Sequence, residues 1–145
     1  MNKILIFSFI MVLVAIGCEK TGLKGDQPAL VKTQWVLSSI QDTRTKTITT
    51  YPIDATSKIS IDFTDSLNLV RFHGICNGGR GIYSYSSITG SIQIFGLGST
   101  YMACKYVEWE QYTIQNLHDA FSYKINGNNL VIYSSGKYNL YFTQT

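Results

Sequence analysis

The sequence predicts a mainly β fold: a single curved antiparallel sheet, or a partly open barrel, of seven to eight strands, with one helix packed on it in the C-terminal half. Three observations support this fold class. Several short segments alternate apolar and polar residues with the period of two that half-buried strands require. Glycine, asparagine, serine and aspartate, which favour turns, separate those segments. One later segment instead repeats apolar residues at the three- and four-residue spacing of a helix.

Length and composition limit the classes of protein that the chain can form. It has 145 residues, of which 45% are apolar and 14% are charged. A disordered or low-complexity chain is therefore excluded, and one domain is expected. Twelve Lys and Arg against nine Asp and Glu leave a net charge of +3. This surplus is too small for a surface that follows a phosphate backbone, so we expect no nucleic-acid partner.

The N-terminal segment has the pattern of an export signal. Lys3 precedes an apolar run over residues 4–16 that is interrupted only by Ser8, as in a basic n-region followed by a short h-region. A helix of that length covers about 20 Å, which is less than the roughly 30 Å of a bilayer core. The run ends at Cys18 in Val-Ala-Ile-Gly-Cys, which resembles a bacterial lipobox. We therefore predict a lipoprotein signal peptide over residues 1–17.

The number of cysteines supports lipidation of Cys18. The other two are Cys76 and Cys104, and an exported chain with an odd number must account for the third thiol. The alternative is an ordinary cleavage site at residues 15–17, which would give a soluble secreted product. Residues 18–29 are predicted to form the lipidated cysteine and a flexible tether with an end-to-end distance of roughly 18 Å. The expected location is the cell envelope, at the outer membrane or the periplasmic face, with the membrane bound through the lipid.

The domain is predicted to cover residues 30–145, and most of it consists of strand-like segments. In order along the chain, these are residues 33–40, 58–63, 67–72, 82–85, 91–95, 122–125, 130–133 and 138–142. The sequence Asn-Gly-Asn-Asn at 126–129 predicts a hairpin turn, since Asn and Gly tolerate a positive φ.

One helix is predicted over residues 107–121, which contain no Gly or Pro. Trp109, Thr113 and Leu117 recur on one face at a spacing of four. Glu110 lies in the first turn, where an acidic side chain meets the positive end of the helix dipole.

Three short motifs follow one another in the middle of the chain: Cys76-Asn77, Gly81-x-Tyr83 and Thr100-x-x-Ala103-Cys104. Together they resemble the META domain family, the HslJ-like domains of bacterial envelopes, some of which are heat-shock proteins. The resemblance extends over about residues 30–143, with Ile75 in place of the usual Gly before Cys76. It implies one antiparallel β domain with a packed helix and no established enzymatic activity.

The residues leave three interpretations open for Cys76 and Cys104. In an oxidising compartment the two thiols form a disulfide. They are otherwise buried free thiols, or zinc ligands together with His73 and His118. The spacing lacks the C-x2-C and H-x3-H pairs of recognisable zinc sites. We therefore predict no metal and no cofactor, and we expect His118 to be solvated or hydrogen-bonded.

Other patterns that suggest chemistry are incomplete. Gly78–Gly81 lacks the Lys and Ser/Thr of a phosphate loop, and Gly96–Tyr101 lacks a third glycine and a surrounding βαβ unit. Both are predicted to be turns. The chain has no G-x-S-x-G motif, and Asp62 and Asp65 are expected to be solvated or to cap a turn instead of forming an acid/base pair.

The sequence therefore predicts a non-catalytic envelope lipoprotein whose domain is a binding or stress-protective module for an unknown envelope protein or small ligand. Two alternatives remain open: a small barrel that carries a lipid or another hydrophobic molecule, and a hydrolase with an unrecognised site. The ligand is expected at the corner where the Cys76 and Cys104 segments meet. The candidate binding residues there are Asn77, Arg80, Gly81, Tyr83 and Thr100.

Overall fold

The structure, a computed structural model, describes residues 29–52 and 58–145. The predicted signal peptide, Cys18 and nearly all of the tether lie outside the described residues. The described residues form nine strands: β1 Gln34–Asp42, β2 Ile48–Thr50, β3 Ser60–Thr64, β4 Leu69–His73, β5 Gly78–Ser86, β6 Ser91–Ser99, β7 Ala120–Asn126, β8 Asn129–Ser134 and β9 Tyr138–Gln144. Helix α1 spans Val107–His118, between β6 and β7. No helix within the described ranges is long and apolar enough to cross a membrane.

Eight of the strands close into an antiparallel barrel. Strands β1 and β3 to β9 follow one another around it, and β9 pairs back to β1. The pairing of β1 with β9 runs from Trp35 opposite Gln144 to Asp42 opposite Tyr138. On its other edge, β1 pairs with β3 through residues 34–36 and with the short β2 through residues 39–41. The prediction of a mainly β fold with one helix is confirmed, and the strands form a closed barrel instead of an open sheet.

The barrel interior is filled by side chains. The period of two along each strand sends alternate residues inwards, which is how eight-stranded barrels are packed. The largest fully buried apolar side chains are Trp35, Phe63, Phe72, Phe142, Ile59, Ile61, Ile92, Leu117, Leu130, Ile132 and Leu140. The one polar group of the Trp35 side chain is satisfied, because Nε1 donates to the Leu30 carbonyl at 3.2 Å. The chain therefore builds a solid core from its inward-facing residues.

Helix α1 packs on this core through the predicted face. Trp109, Thr113 and Leu117 are buried, and Trp109 makes an edge-to-face contact with Tyr51. The predicted helix was too long at its C-terminal end: Ala120 and the following phenylalanine start β7, where Ala120 pairs with Ser134 of β8. The residues after 118 fit helical spacing equally well, but pairing with β8 determines their conformation.

The two glycine-rich segments were wrongly predicted to be turns. Gly78–Gly81 begins β5, and most of Gly96–Tyr101 lies in β6, its pairing partner. Glycine is needed at Gly79 because a Cβ there would overlap the carbonyl oxygen of Gly98. At Gly81 a Cβ would lie 2.8 Å from the Phe95 carbonyl oxygen, beside a shift in strand register. The glycines therefore allow β5 and β6 to approach closely.

Candidate functional site

The Cys76 and Cys104 sulfurs form a disulfide. It joins the loop between β4 and β5 to the segment that leads into α1. Neither of the other two interpretations of these cysteines fits this structure. His73, one of the other two candidate zinc ligands, is bonded to Asp62. His118 is exposed, and its Nε2 lies 3.0 Å from the Leu97 carbonyl oxygen, as expected for a solvated or hydrogen-bonded histidine.

Glu110 is a buried carboxylate beside the disulfide, with 2% of its surface exposed. Its Oε1 accepts hydrogen bonds from the backbone N–H groups of Cys76 at 2.8 Å and Asn77 at 3.2 Å. Its Oε2 accepts a third from Asn77 Nδ2 at 2.6 Å. Sequence reasoning assigned Glu110 only to the helix dipole. Its wider role depends on the loop before β5, whose position no local pattern predicts.

The Asn77 side chain uses both of its polar atoms within the same region. Nδ2 also donates to the Met102 carbonyl at 3.0 Å. Oδ1 accepts from the Met102 N–H at 2.7 Å and from the Thr100 hydroxyl at 3.1 Å. Asn77 is buried, so its amide connects two loops and the helix. We call Asn77, Glu110 and the Cys76–Cys104 disulfide the buried corner.

The buried corner includes a group of possible metal ligands, but they are already bonded. One ligand atom each from Cys76, Cys104 and Glu110 lies within 4.8 Å of the others. The two sulfurs are joined to each other, and the carboxylate accepts three N–H groups. The geometry of this group is therefore that of a structural link.

A groove of about 580 Å³ lies on the outside of the barrel next to the buried corner. We call it the arginine groove. Its floor is formed by Gly78, Gly79 and Gly98, which place no side chain in it. The other residues that line the groove are Arg71, Phe72, His73, Arg80, Ser99 and Thr100. The groove therefore combines cationic groups, hydroxyls and exposed backbone.

Of the basic side chains that line the groove, Arg71 and His73 contact an acidic partner in the described part of the chain and Arg80 does not. Asp62 binds Arg71, with its Oδ2 at 2.7 Å from the guanidinium, and its Oδ1 lies 3.0 Å from His73 Nε2. Arg80 lies opposite Arg71 in the pairing of β4 with β5. It has no ion-pair partner among residues 29–52 and 58–145. Arg80 is thus the cation of the groove that is free to meet an anionic group.

The five predicted binding residues do not share one surface. Arg80 and Thr100 line the arginine groove, and Asn77 lies beneath Thr100. Gly81 and Tyr83 lie inside the barrel. The Tyr83 hydroxyl donates to the Thr64 carbonyl at 3.2 Å, and burial raises the pKa of this phenol.

Two groove residues, Arg71 and His73, were not predicted as site residues. Alternation along β4 places both outwards, because Val70 and Phe72 between them face the core. That signal was present in the sequence. What the sequence did not contain was the register, which sets Arg71 opposite Arg80 and His73 opposite Gly78.

The two carboxylates considered for acid/base chemistry belong to separate pairs. Asp62 binds Arg71 and His73, whereas Asp65 binds Lys32 at 2.6 Å. Ser60, opposite His73 in the strand pairing, accepts a hydrogen bond from Gln34 through its hydroxyl oxygen. These contacts are ion pairs and a hydrogen bond on the outer surface of the barrel, and the two carboxylates do not form an acid/base pair.

Comparison with known proteins identifies related folds. The family model for the META domain matches residues 28–145. An NMR structure of a protein from Burkholderia xenovorans is similar with a TM-score of 0.65 and 21% identity, covering 80% of this chain and 83% of the other. A crystal structure of a DUF4847-family protein from Bacteroides vulgatus has a TM-score of 0.60 and 12% identity, covering 79% and 93%. No curated protein sequence matches the chain significantly.

Proposed function

The chain belongs to the META domain family, and we propose that it is a non-catalytic, lipid-anchored module of the cell envelope that binds an anionic ligand in the arginine groove. The family has no established enzymatic activity. Export and anchoring are supported by the leader pattern and by Cys18, as argued from the sequence. The domain of residues 30–145 would then stay close to the membrane and present its outer surface to ligands.

The observation that carries the proposal is Arg80, a cation without an ion-pair partner in the described chain, at the edge of a groove with a glycine floor. Guanidinium groups bind carboxylates and phosphates through paired, charge-assisted hydrogen bonds. Thr100 and Ser99 also line the groove, but their hydroxyls already donate to Asn77 Oδ1 and to the Thr100 carbonyl, so recognition of an anion depends on the Arg80 guanidinium. The groove therefore suits a small anionic group that approaches from outside the barrel.

The barrel itself offers less support for a hydrophobic cargo. Its inward-facing side chains include Trp35, Phe63 and Phe142, each with no more than 1% of its surface exposed. The arginine groove lies on the outside and has charged walls. A carrier of lipids in the barrel interior would require these packed side chains to move apart.

Arg80→Gln is expected to weaken binding of inorganic phosphate about ten-fold, because a charge-assisted hydrogen bond contributes about 1.5 kcal/mol or more. The measurement is a phosphate titration of the purified chain followed by amide NMR shifts, expected at Gly78–Arg80 and Gly98–Thr100. Arg44→Gln is the matched control, since Arg44 is another exposed arginine, located after β1. Equal affinity in both variants would contradict the proposed site.

Cys18→Ser is expected to abolish lipid attachment in a bacterium that expresses the full sequence. The wild-type chain should incorporate radioactive palmitate and fractionate with membranes, because attached acyl chains hold a protein at the bilayer. The substituted chain should do neither. Cys76→Ser is the matched control and should keep the label. Release of the unaltered chain into the soluble fraction would contradict the anchor.

A further inference from the structure

An exposed apolar strip runs beside the arginine groove on the outer face of β4, β5 and β6. Ile82 pairs with Leu69 on one side and with Phe95 on the other, so the three side chains form one outward row. Ile82 is 52% exposed and Phe95 is 48% exposed. Leu67, in the turn before β4, is 80% exposed. We call Leu67, Leu69, Ile82 and Phe95 the apolar strip.

The strip and the groove are adjacent rows of the same sheet surface. Two residues along each strand from the paired Leu69 and Ile82, Arg71 lies opposite Arg80. Both arginines line the groove. Because Arg71 is paired with Asp62, the surplus charge beside the strip comes from Arg80. The surface therefore has an apolar side and a cationic side, like a protein surface that rests at a bilayer interface.

The chain enters the barrel beside this strip. Val31 forms a bridge with Phe63, and the Lys32 N–H donates to the Phe63 carbonyl at 2.9 Å. The next residue of β3, Thr64, pairs with Leu69. The first described residues of the chain consequently lie next to the row that contains the exposed apolar side chains.

We propose that the apolar strip and Arg80 dock the domain onto the anionic phospholipid surface to which Cys18 anchors it. This inference rests on the proposed lipid anchor. A tether of roughly 18 Å keeps the strip close to the bilayer, and tethering converts docking into an intramolecular step, so a small contact is sufficient. Phe95, Ile82 and Leu67 enter the boundary between headgroups and acyl chains, while Arg80 contacts lipid phosphates.

The docked orientation separates two faces of the barrel. Strand β8 lies four strands from β4 in both directions around the closed barrel. Its half-buried Tyr133 therefore faces away from the docked surface. A tryptophan at Phe95 is expected to contact acyl chains, and a tryptophan at Tyr133 is expected to stay in water.

The test uses the full lipid-anchored chain in vesicles of equal amounts of phosphatidylglycerol and acyl-brominated phosphatidylcholine. Bromine quenches tryptophan fluorescence on contact, and the wild-type chain supplies the background of Trp35 and Trp109. The added fluorescence of Phe95→Trp is expected to fall by about half, as for a side chain that reaches the acyl boundary. That of Tyr133→Trp is expected to remain unchanged.

Charge is tested in the same reporter chain. Adding Arg80→Gln to Phe95→Trp is expected to lower the docking equilibrium about five-fold, the typical contribution of one cation near an anionic bilayer surface. Arg80→Lys should retain most of the quenching, and the control Arg44→Gln should retain all of it. Near-ultraviolet circular dichroism shows whether each variant is folded.

The outcomes separate the docking from the anchor. A chain that does not float with the vesicles contradicts the anchor and, with it, the docking that depends on it. A chain that floats with the vesicles, but shows equal quenching at both reporters or none at Phe95→Trp, contradicts the docking alone. If Phe95→Trp is unquenched by lipid and also shielded from aqueous iodide, the strip contacts protein, which likewise overturns the proposal.

Discussion

Asn77→Ala is expected to lower the free energy of unfolding by about 4 kcal/mol. The substitution removes one hydrogen bond to a buried carboxylate, worth about 2 kcal/mol, and three neutral bonds worth about 1 kcal/mol each, with some recovery through relaxation. It leaves the buried Glu110 Oε2 and the Met102 N–H without this partner. The melting temperature should fall by about 15 °C, at about 4 °C per kcal/mol for a domain of this size.

Urea unfolding monitored by tryptophan fluorescence measures this loss. Asn129→Ala is the matched control, because Asn129 is exposed and its side chain donates to the Asn126 carbonyl at the long distance of 3.4 Å. The control should change stability by less than about 0.5 kcal/mol. A similar small loss at Asn77 would mean that the buried corner contributes little to stability.

The free energy of unfolding of the Asn77→Asp variant is expected to depend on pH. The new carboxylate would face Glu110 at the present 2.6 Å contact, and two like charges at this distance raise the pKa of one of them. A folded-state pKa above the unfolded value gives stability that is present at low pH and lost as pH rises through the folded pKa. The variant should therefore be closer to wild type in acid than at neutral pH.

The residues of the buried corner show what the sequence supports and what it does not. A disulfide was one of three interpretations of the cysteines, favoured by their number and by the expected export, which are properties of the whole chain. Asn77 was predicted to bind a ligand, yet the structure buries its amide against Glu110 and Met102. Whether a polar side chain faces solvent or another loop depends on contacts between segments 25 to 33 residues apart, which no local pattern records.

The barrel illustrates the same limit at the level of the fold. Alternation predicted the segments around Trp35, Phe63 and Phe142 as strands, because each has to bury one face. Closure requires β1 to pair with β9, and the period of two is identical in open and closed sheets. Similarly, the glycines of β5 resembled turn residues, since their role depends on the backbone of β6 beside them.

Removing the disulfide by the double substitution Cys76→Ala and Cys104→Ala is expected to lower the free energy of unfolding by about 3.5 kcal/mol. This figure comes from the entropy that a cross-link removes from the unfolded chain, for cysteines 28 residues apart. Denatured but unreduced chain that carries Cys18→Ser should contain no titratable thiol. Two reactive thiols per chain would contradict the disulfide.

Combining the double cysteine substitution with Asn77→Ala shows whether the disulfide acts on the unfolded chain or positions Asn77 in the folded state. Hydrogen bonds that do not involve the sulfurs connect Cys76, Asn77, Thr100, Met102 and Glu110. If these bonds keep the buried corner folded without the cross-link, the disulfide acts mainly on the unfolded chain. The two losses should then add to within about 1 kcal/mol, as independent effects do. A combined loss smaller than the sum by about 2 kcal/mol or more would mean that the disulfide positions Asn77 in the folded state.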